Sequence, residues 1–365
     1  MDYGLGTREF APVLLFWIGL AVLCSGPMTV ALVMAVRYFD LCIRYQERFG
    51  RIFQEKPLFI IPRGQPALDA EDMRFSAADG RMLAGCYLKG SGRRRGVILF
   101  GLEYGSNRWS CQPYCEHLLA AGYDVFAFEP RCQGDSDCLP GYDSLQWVTD
   151  FEVEDAKAAL AYLKSRPDAD PRGVGFFGVS KGAGAGVIAA ARDPYVRCCV
   201  TDGMFGLFTT LVPYMRHYFR IYNNRVLIQG MIPSWFFHLV GLTIVRRSEL
   251  QRHCHFPPLE RALGRLGSRP LFMIHGASDS YIKPDMARTL FRYASDPKEL
   301  WVVEGAKHNQ ALNVTGDEYC RRVLEFFDLH LAQDKNDLTQ SRKERKEERE
   351  NELESAAELK AVARA

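Results

Sequence analysis

At 365 residues, 47% hydrophobic and 25% charged, the chain has material for one large domain or two small ones with an ample core. Its formal net charge of +2 gives no electrostatic reason to expect nucleic acid, and no recognition motif for it is present. Eleven cysteines lie without metal spacing: Cys111 and Cys115 are four apart, Cys198 and Cys199 are adjacent, and no His/Cys cluster accompanies them. Neither zinc nor another metal is expected, and the thiols are expected to be mostly buried and reduced.

Residues 1–9 form an N-terminal tip. From Phe10 to Val36 there is no charged residue, a stretch longer than the roughly 20 residues needed to cross a bilayer. The reading is a transmembrane helix over 10–36, kinked at Gly26-Pro27. A cleaved signal peptide is the alternative. It wants an apolar core of roughly 7–15 residues and a small-residue cleavage site, which Ala35-Val36-Arg37 does not supply. The flanks orient the helix: Arg8 precedes it, whereas Arg37, Arg44, Arg48, Arg51 and Lys56 follow. The positive-inside rule then predicts a single-pass protein with its N-terminus outside and the rest cytoplasmic. A juxtamembrane linker spans 37–68, containing Pro57, Pro62 and Pro66; Tyr38, Tyr45 and Phe53 there belong either to the membrane interface or to a plain linker helix.

The body runs over 69–332. Met73–Ser76 and Met82–Leu88 read as strands around the turn Ala78-Asp79-Gly80. Short apolar runs then alternate with helical spacing. Strands are expected at Val97–Phe100, Val125–Phe128, Gly173–Phe177, Cys198–Thr201, Leu271–Ile274 and Leu300–Val303. Helices are expected at 108–121, 145–163, 183–191 and 285–293, and Val323–Leu331 closes the body. Strands apolar throughout, separated by helices, predict an α/β fold: a mostly parallel sheet flanked by helices on both faces. The rhythm breaks at 203–268, a segment dense in aromatics from Phe205 to Phe237. It is expected to be a helical cap insertion over a ligand site, rather than an insertion that packs only on itself. Its run Leu239, Val240, Leu242, Ile244 and Val245 is a further candidate for membrane contact, but Gln229, Pro233 and His238 argue against a second span. Residues 333–365 alternate basic and acidic side chains with few large apolar ones, as in a solvated helix or a disordered tail.

Chemistry concentrates at Gly178-Val179-Ser180-Lys181-Gly182, a G-x-S-x-G between an apolar strand and a small-residue helix. That context makes it a candidate nucleophile elbow, with Ser180 lifted on a tight turn above a helix N-terminus. A serine needs a base and a third group to hold that base. Downstream, Asp279 follows the strand ending at Ile274 and His308 follows the strand ending at Val303. Both fall in loops at strand C-termini, the edge where open parallel sheets bind ligands. Asp202 is a second candidate acid, and His275 reads as a packing residue.

Residues from about Phe75 to Leu331 resemble the α/β-hydrolase superfamily. The likeness rests on the elbow, on Gly276 to Asp279, on Gly305 to His308, and on Arg131-Cys132-Gln133-Gly134-Asp135-Ser136, where Cys132 stands in place of a usual glycine. The resemblance implies Ser180, His308 and Asp279 as nucleophile, base and orienter. It implies an oxyanion hole from the N–H groups of Lys181 and Leu102, with Glu103 as fallback for the latter. The family's usual histidine is missing from Phe100-Gly101-Leu102-Glu103, and a carboxylate at Glu103 would oppose an oxyanion unless it turned away or paired, for instance with Arg108. The implied activity is hydrolysis of an ester or related acyl bond on a small-molecule or lipid-like hydrophobic substrate, without a cofactor. Thioesterase and peptidase activity stay open, and Ser180-Lys181-Gly182-Ala183 is similar to the elbow of acyl-CoA thioesterases. The alternative from another class is a catalytically silent, membrane-tethered scaffold or binding protein. Nothing in the residues fixes an oligomeric state.

Overall fold

The computed structural model describes residues 10–52, 63–222 and 233–332. The expected N-terminal tip, the linker prolines Pro57 and Pro62, and the charged tail 333–365 lie outside these residues. In chain order the elements are α1 (Phe10–Ile52), β1 (Glu71–Ser76), β2 (Met82–Leu88), β3 (Gly96–Gly101), α2 (Gln112–Ala120), β4 (Tyr123–Phe128), α3 (Asp150–Ser165), β5 (Val174–Val179), α4 (Ser180–Ala190), β6 (Val196–Asp202), α5 (Leu207–Tyr222), α6 (Ser234–Arg252), α7 (Leu259–Arg265), β7 (Leu271–Gly276), α8 (Pro284–Phe291), β8 (Lys298–Val303), α9 (Ala311–Thr315) and α10 (Asp317–His330). They divide between two compact units, one formed within residues 1–54 and 215–248, the other within 55–214 and 249–365.

The larger unit is built on one eight-stranded sheet of order β1-β2-β4-β3-β5-β6-β7-β8. The β1–β2 and β2–β4 pairs are antiparallel; every other pair is parallel. Successive residues of a strand point to opposite faces, so each buried parallel strand feeds two cores. On one face Leu99, Phe126, Phe176 and Met273 pack with Leu160 of α3, Val187 of α4 and Leu263 of α7. On the other, Ile98, Phe100, Val125, Phe177 and Ile274 pack with Leu118 of α2 and with Tyr319, Val323 and Phe327 of α10. The alternation of Phe176 and Phe177 between the two clusters is the sequence rule made visible.

Strand expectations hold within two residues at each end. Helix α3 begins later than its apolar spacing suggests. Thr149 accepts from the Phe151 N–H while the Glu152 carboxylate reaches back to the Thr149 N–H, a capping box that starts the helix at Asp150. The residues 145–149 before it are loop.

In the smaller unit α1 is unbroken through Pro27 and runs on to Ile52, so residues 37–52 of the expected linker are helical. Its segment Leu15–Asp40 has a mean hydropathy of 2.0 and is long and apolar enough to cross a bilayer. The described part of the insertion at 203–268 is mostly helical, carrying α5, α6 and α7, and it divides. Residues 215–248 belong with α1, and residues 203–214 and 249–268 belong with the sheet.

Two cysteines depart from the reduced-thiol expectation: Cys132 and Cys138 form a disulfide. The other nine are free, seven of them buried.

The loop after β4 is fixed to α3 by a fully enclosed ion pair. The Arg131 backbone N–H and guanidinium both donate to the Asp155 carboxylate, with side-chain exposures of 2% and 0%. Removing one partner of such a pair strands a buried charge, at a cost of about 3–5 kcal/mol. Arg131→Met should lower the stability read from guanidinium unfolding in detergent by about that amount, and the paired replacement Arg131→Met with Asp155→Leu should recover much of it. A single-variant loss below about 1 kcal/mol would show that the pair does not hold this loop.

Candidate active site

Ser180 is the first residue of α4 and has φ +50°, a conformation that L-residues other than glycine seldom adopt. Its neighbours make the turn possible. A Cβ on Gly178 would lie 2.6 Å from the Ala183 Cα, and one on Gly182 would lie 2.2 Å from the Leu102 carbonyl oxygen. Without those carbons, α4 starts hard against the end of β3 and the Ser180 side chain projects from the tip of the turn.

The Ser180 Oγ lies 2.9 Å from the His308 Nε2. The His308 Nδ1 lies 2.6 Å from the Asp279 Oδ2. Asp279 is itself held, its Oδ1 accepting the Tyr281 and Ile282 backbone N–H groups, each at 2.8 Å. The carboxylate is fully buried, while the imidazole keeps 13% exposure. Three residues from three strand ends, separated by up to 128 positions, thus form one hydrogen-bonded chain.

The other acid and the other histidine are differently employed. Asp202 accepts from the Tyr319 hydroxyl at 2.9 Å, and burial pushes its carboxyl up to about 7. His275 is buried, its Nε2 lying 2.7 Å from the Ile282 carbonyl, and burial pulls its pKa down. It packs, as its place at the end of β7 suggests.

Leu102 is buried directly after β3, and a Cβ on Gly182 would come within 2.6 Å of the Leu102 nitrogen. The Leu102 amide therefore borders the first turn of α4, whose opening N–H groups, that of Lys181 among them, have no acceptor within the helix. Glu103 does not pair with Arg108. Its Oε2 accepts from the Asn309 Nδ2 at 2.8 Å, and burial raises its pKa above the ordinary carboxylate value. Arg108 is instead engaged by Asp72, Glu129 and Asp135. The Glu103–Asn309 bond spans 206 positions and ties the loop after β3 to the residue after His308. From the Arg131–Ser136 loop, the Gln133 Nε2 donates to the Glu103 and Ser106 carbonyls, bracing the same segment. Cys132 sits there at φ +58°, a left-handed conformation that explains why a glycine suits this place.

The Lys181 side chain turns inward. Its Nζ donates to the Ser144 Oγ at 2.9 Å and to the Glu152 Oε1 at 2.8 Å, with side-chain exposures of 5% for Lys181 and 2% for Glu152. Burial opposes charge on Glu152, but Lys181 together with the Tyr142 and Thr149 donors outweighs it and holds the carboxyl below its usual range. The pair ties the residue after Ser180 to the start of α3, so the lysine is occupied in a buried pair. The sequence assigns no role to Glu152, Ser144 or Asn309, and the Thr149-x-x-Glu152 capping pattern is the one signal pointing to any of these three; Gln133 stands inside the Arg131–Ser136 run.

A separate groove of about 460 Å³, lined by Pro270, Phe272, Lys298, Arg322, Phe326 and His330, opens at the N-terminal ends of β7 and β8, the opposite edge of the sheet from Asp279 and His308.

No protein-family model matches the chain. The uncharacterised Escherichia coli protein YfhR is 22% identical over 271 residues, covering 72% of this chain and 82% of YfhR. The thiohydrolase apmlB of Arthrinium phaeospermum is 32% identical over 134 residues, 36% of this chain and 42% of that protein. Among solved structures, the esterase Pf2001 of Pyrococcus furiosus superposes with a TM-score of 0.55 at 22% identity, covering 76% of this chain and 100% of that one. With its strand order and the strand-turn-helix at Ser180, the chain has the fold of the α/β hydrolases.

Proposed function

We propose that the chain is a serine hydrolase that cleaves an ester or related acyl bond through an acyl-enzyme. The observation that carries this reading is the continuous chain Ser180 Oγ, His308, Asp279, with the serine raised on a left-handed turn. His308 takes the Ser180 proton as Oγ attacks the carbonyl carbon. The oxyanion of the tetrahedral intermediate accepts from the Leu102 and Lys181 N–H groups. Collapse expels the alcohol or thiol, which leaves with the proton from His308. Water, deprotonated by His308, then attacks the acyl carbon, and Ser180 recovers its proton as the acid departs. Asp279 orients the imidazole and offsets its transient charge. This chemistry asks for no cofactor.

The substrate class is a small or lipid-like apolar acyl compound. The Tyr281 ring stands edge-on to His308 at 6.4 Å, and the Tyr214 hydroxyl bonds to the Tyr281 carbonyl, giving the site an aromatic wall. The cap reading belongs to this proposal for the parts of the insertion in the larger unit, 203–214 and 249–268. A thioester is the second reading, favoured by the likeness to a thiohydrolase. The inward-turned Lys181 side chain lends it no support.

We propose further that α1 is a retained anchor, with the N-terminus outside and the hydrolase unit cytoplasmic. The basic flank after Val36 supports that orientation. The Cys132–Cys138 disulfide is the one feature that favours an oxidising compartment.

Three outcomes are expected. A fluorophosphonate probe should label the wild type, and Ser180→Ala should abolish labelling; a folded wild type that takes no label would favour the silent scaffold. Asp279→Asn should lower kcat on the best substrate from a panel of p-nitrophenyl esters, acyl-CoAs and aminoacyl amides by roughly 10⁴-fold, and the same panel ranks ester, thioester and amide. Protease added outside intact cells should leave the hydrolase unit whole; digestion of that unit would reverse the assigned orientation.

A further inference from the structure

Helix α6 has two faces. Phe236, Phe237, Val240, Gly241, Ile244, Val245 and Ser248 are buried. Opposite them, Trp235, Leu239 and Leu242 are 59%, 44% and 45% exposed. Their spacing, i, i+4 and i+7, sets them in a single stripe. Burial thus splits the apolar run 239–245, with Leu239 and Leu242 left outward. On a water-facing helix this stripe would carry polar side chains.

What covers the stripe follows from where α6 is fastened. Within the smaller unit, the Tyr38 ring of α1 packs edge-on against Phe236 at 6.1 Å, and the Tyr38 hydroxyl hydrogen-bonds the Thr243 hydroxyl. Thr243 lies on the exposed face, its hydroxyl also donating to the Leu239 carbonyl at 3.1 Å. The fastening point therefore borders the stripe. Tyr38 also stands two residues before the end of the apolar segment Leu15–Asp40, where a bilayer-crossing helix leaves the hydrocarbon. Phe39 and Ile43 of α1 are exposed at the same level. Indole and tyrosine rings favour that boundary, and a helix with one apolar face lies along it.

We infer that the Trp235–Leu239–Leu242 face of α6 is a lipid-contacting surface, seated at the headgroup–acyl boundary of the same bilayer that α1 crosses. The inference rests on the reading of α1 as a membrane span. It gives the middle of the insertion a partner of its own, phospholipid, in addition to the anchor.

Tryptophan quenching separates the two claims, because Trp17 reports α1 and Trp235 reports α6. The full chain is reconstituted in phosphatidylcholine vesicles whose acyl chains carry bromine near the headgroup. The Trp17→Phe/Trp235→Phe double variant, which retains Trp109, Trp147 and Trp301, sets the background. Trp17→Phe should be quenched above that background, through Trp235, and Trp235→Phe should be quenched through Trp17. Leu239→Gln with Leu242→Gln in the Trp17→Phe chain should reduce the quenching. If Trp17→Phe matches the double variant, the α6 surface is not on lipid and the inference falls. If Trp235→Phe matches it while Trp17→Phe remains quenched, α6 touches lipid and the spanning role of α1 falls instead. If both match it, both fall.

Discussion

The constraint on which the site depends is the left-handed backbone at Ser180. A non-glycine residue there costs of order 1–3 kcal/mol, and it persists only where its surroundings over-determine it. Here they do. Helix α4 packs on β5 and β3 at distances that only glycine at 178 and 182 permits, and every residue of the helix is buried. The same close approach that strains Ser180 brings the Leu102 amide beside the start of α4. The proposed nucleophile and oxyanion donors are therefore consequences of one packing decision, the meeting of two strand ends and a helix start.

A turn so placed still needs fixed neighbours. Two buried polar links supply them from opposite sides. Lys181 reaches back to Glu152 and Ser144, so the residue after Ser180 is tied to α3. Glu103 reaches to Asn309, so the loop after β3 is tied to the loop bearing His308, and Gln133 holds that loop from a third direction. None of these side chains reaches the Ser180 hydroxyl, yet each restrains an atom that the proposed reaction uses. Preorganisation of this kind is what gives fixed N–H donors their effect on a developing oxyanion.

The sequence made the sheet legible because its parallel strands are short, apolar throughout and spaced by amphipathic helices, and it made Ser180, Asp279 and His308 legible as candidates because each falls in the turn or loop after such a strand. It did not reveal the bracing. Glu103 and Asn309 are 206 positions apart, and neither stands in a local pattern. Glu152 was hidden differently: the apolar spacing of α3 extends back to Leu145, masking the Thr149 cap that both starts the helix and shares its glutamate with Lys181. Lys181 belongs to the elbow motif in the sequence, but the direction of its side chain depends on what stands beneath the helix. The Cys132–Cys138 link joins two thiols six residues apart in a loop whose return path no periodicity describes.

Three carboxyl groups, those of Asp279, Asp202 and Glu103, lie within electrostatic reach of the imidazole, and their environments sort their roles. Burial raises Asp202 to about 7 and lifts Glu103 above its ordinary value, so the surroundings oppose charge on each of these two acids. Asp279 is equally enclosed, but its Oδ1 accepts two backbone N–H groups while its Oδ2 lies against the imidazole. Three ionised carboxylates in one enclosed space would repel one another and the oxyanion that the proposed chemistry creates. The acid 2.6 Å from the His308 Nδ1 is thus the one with backbone donors of its own, and in the proposed reaction it is the partner of the imidazolium. Asp202, though it also ends a strand at the reactive edge, is thereby left to the Tyr319 hydroxyl and the wall of the core.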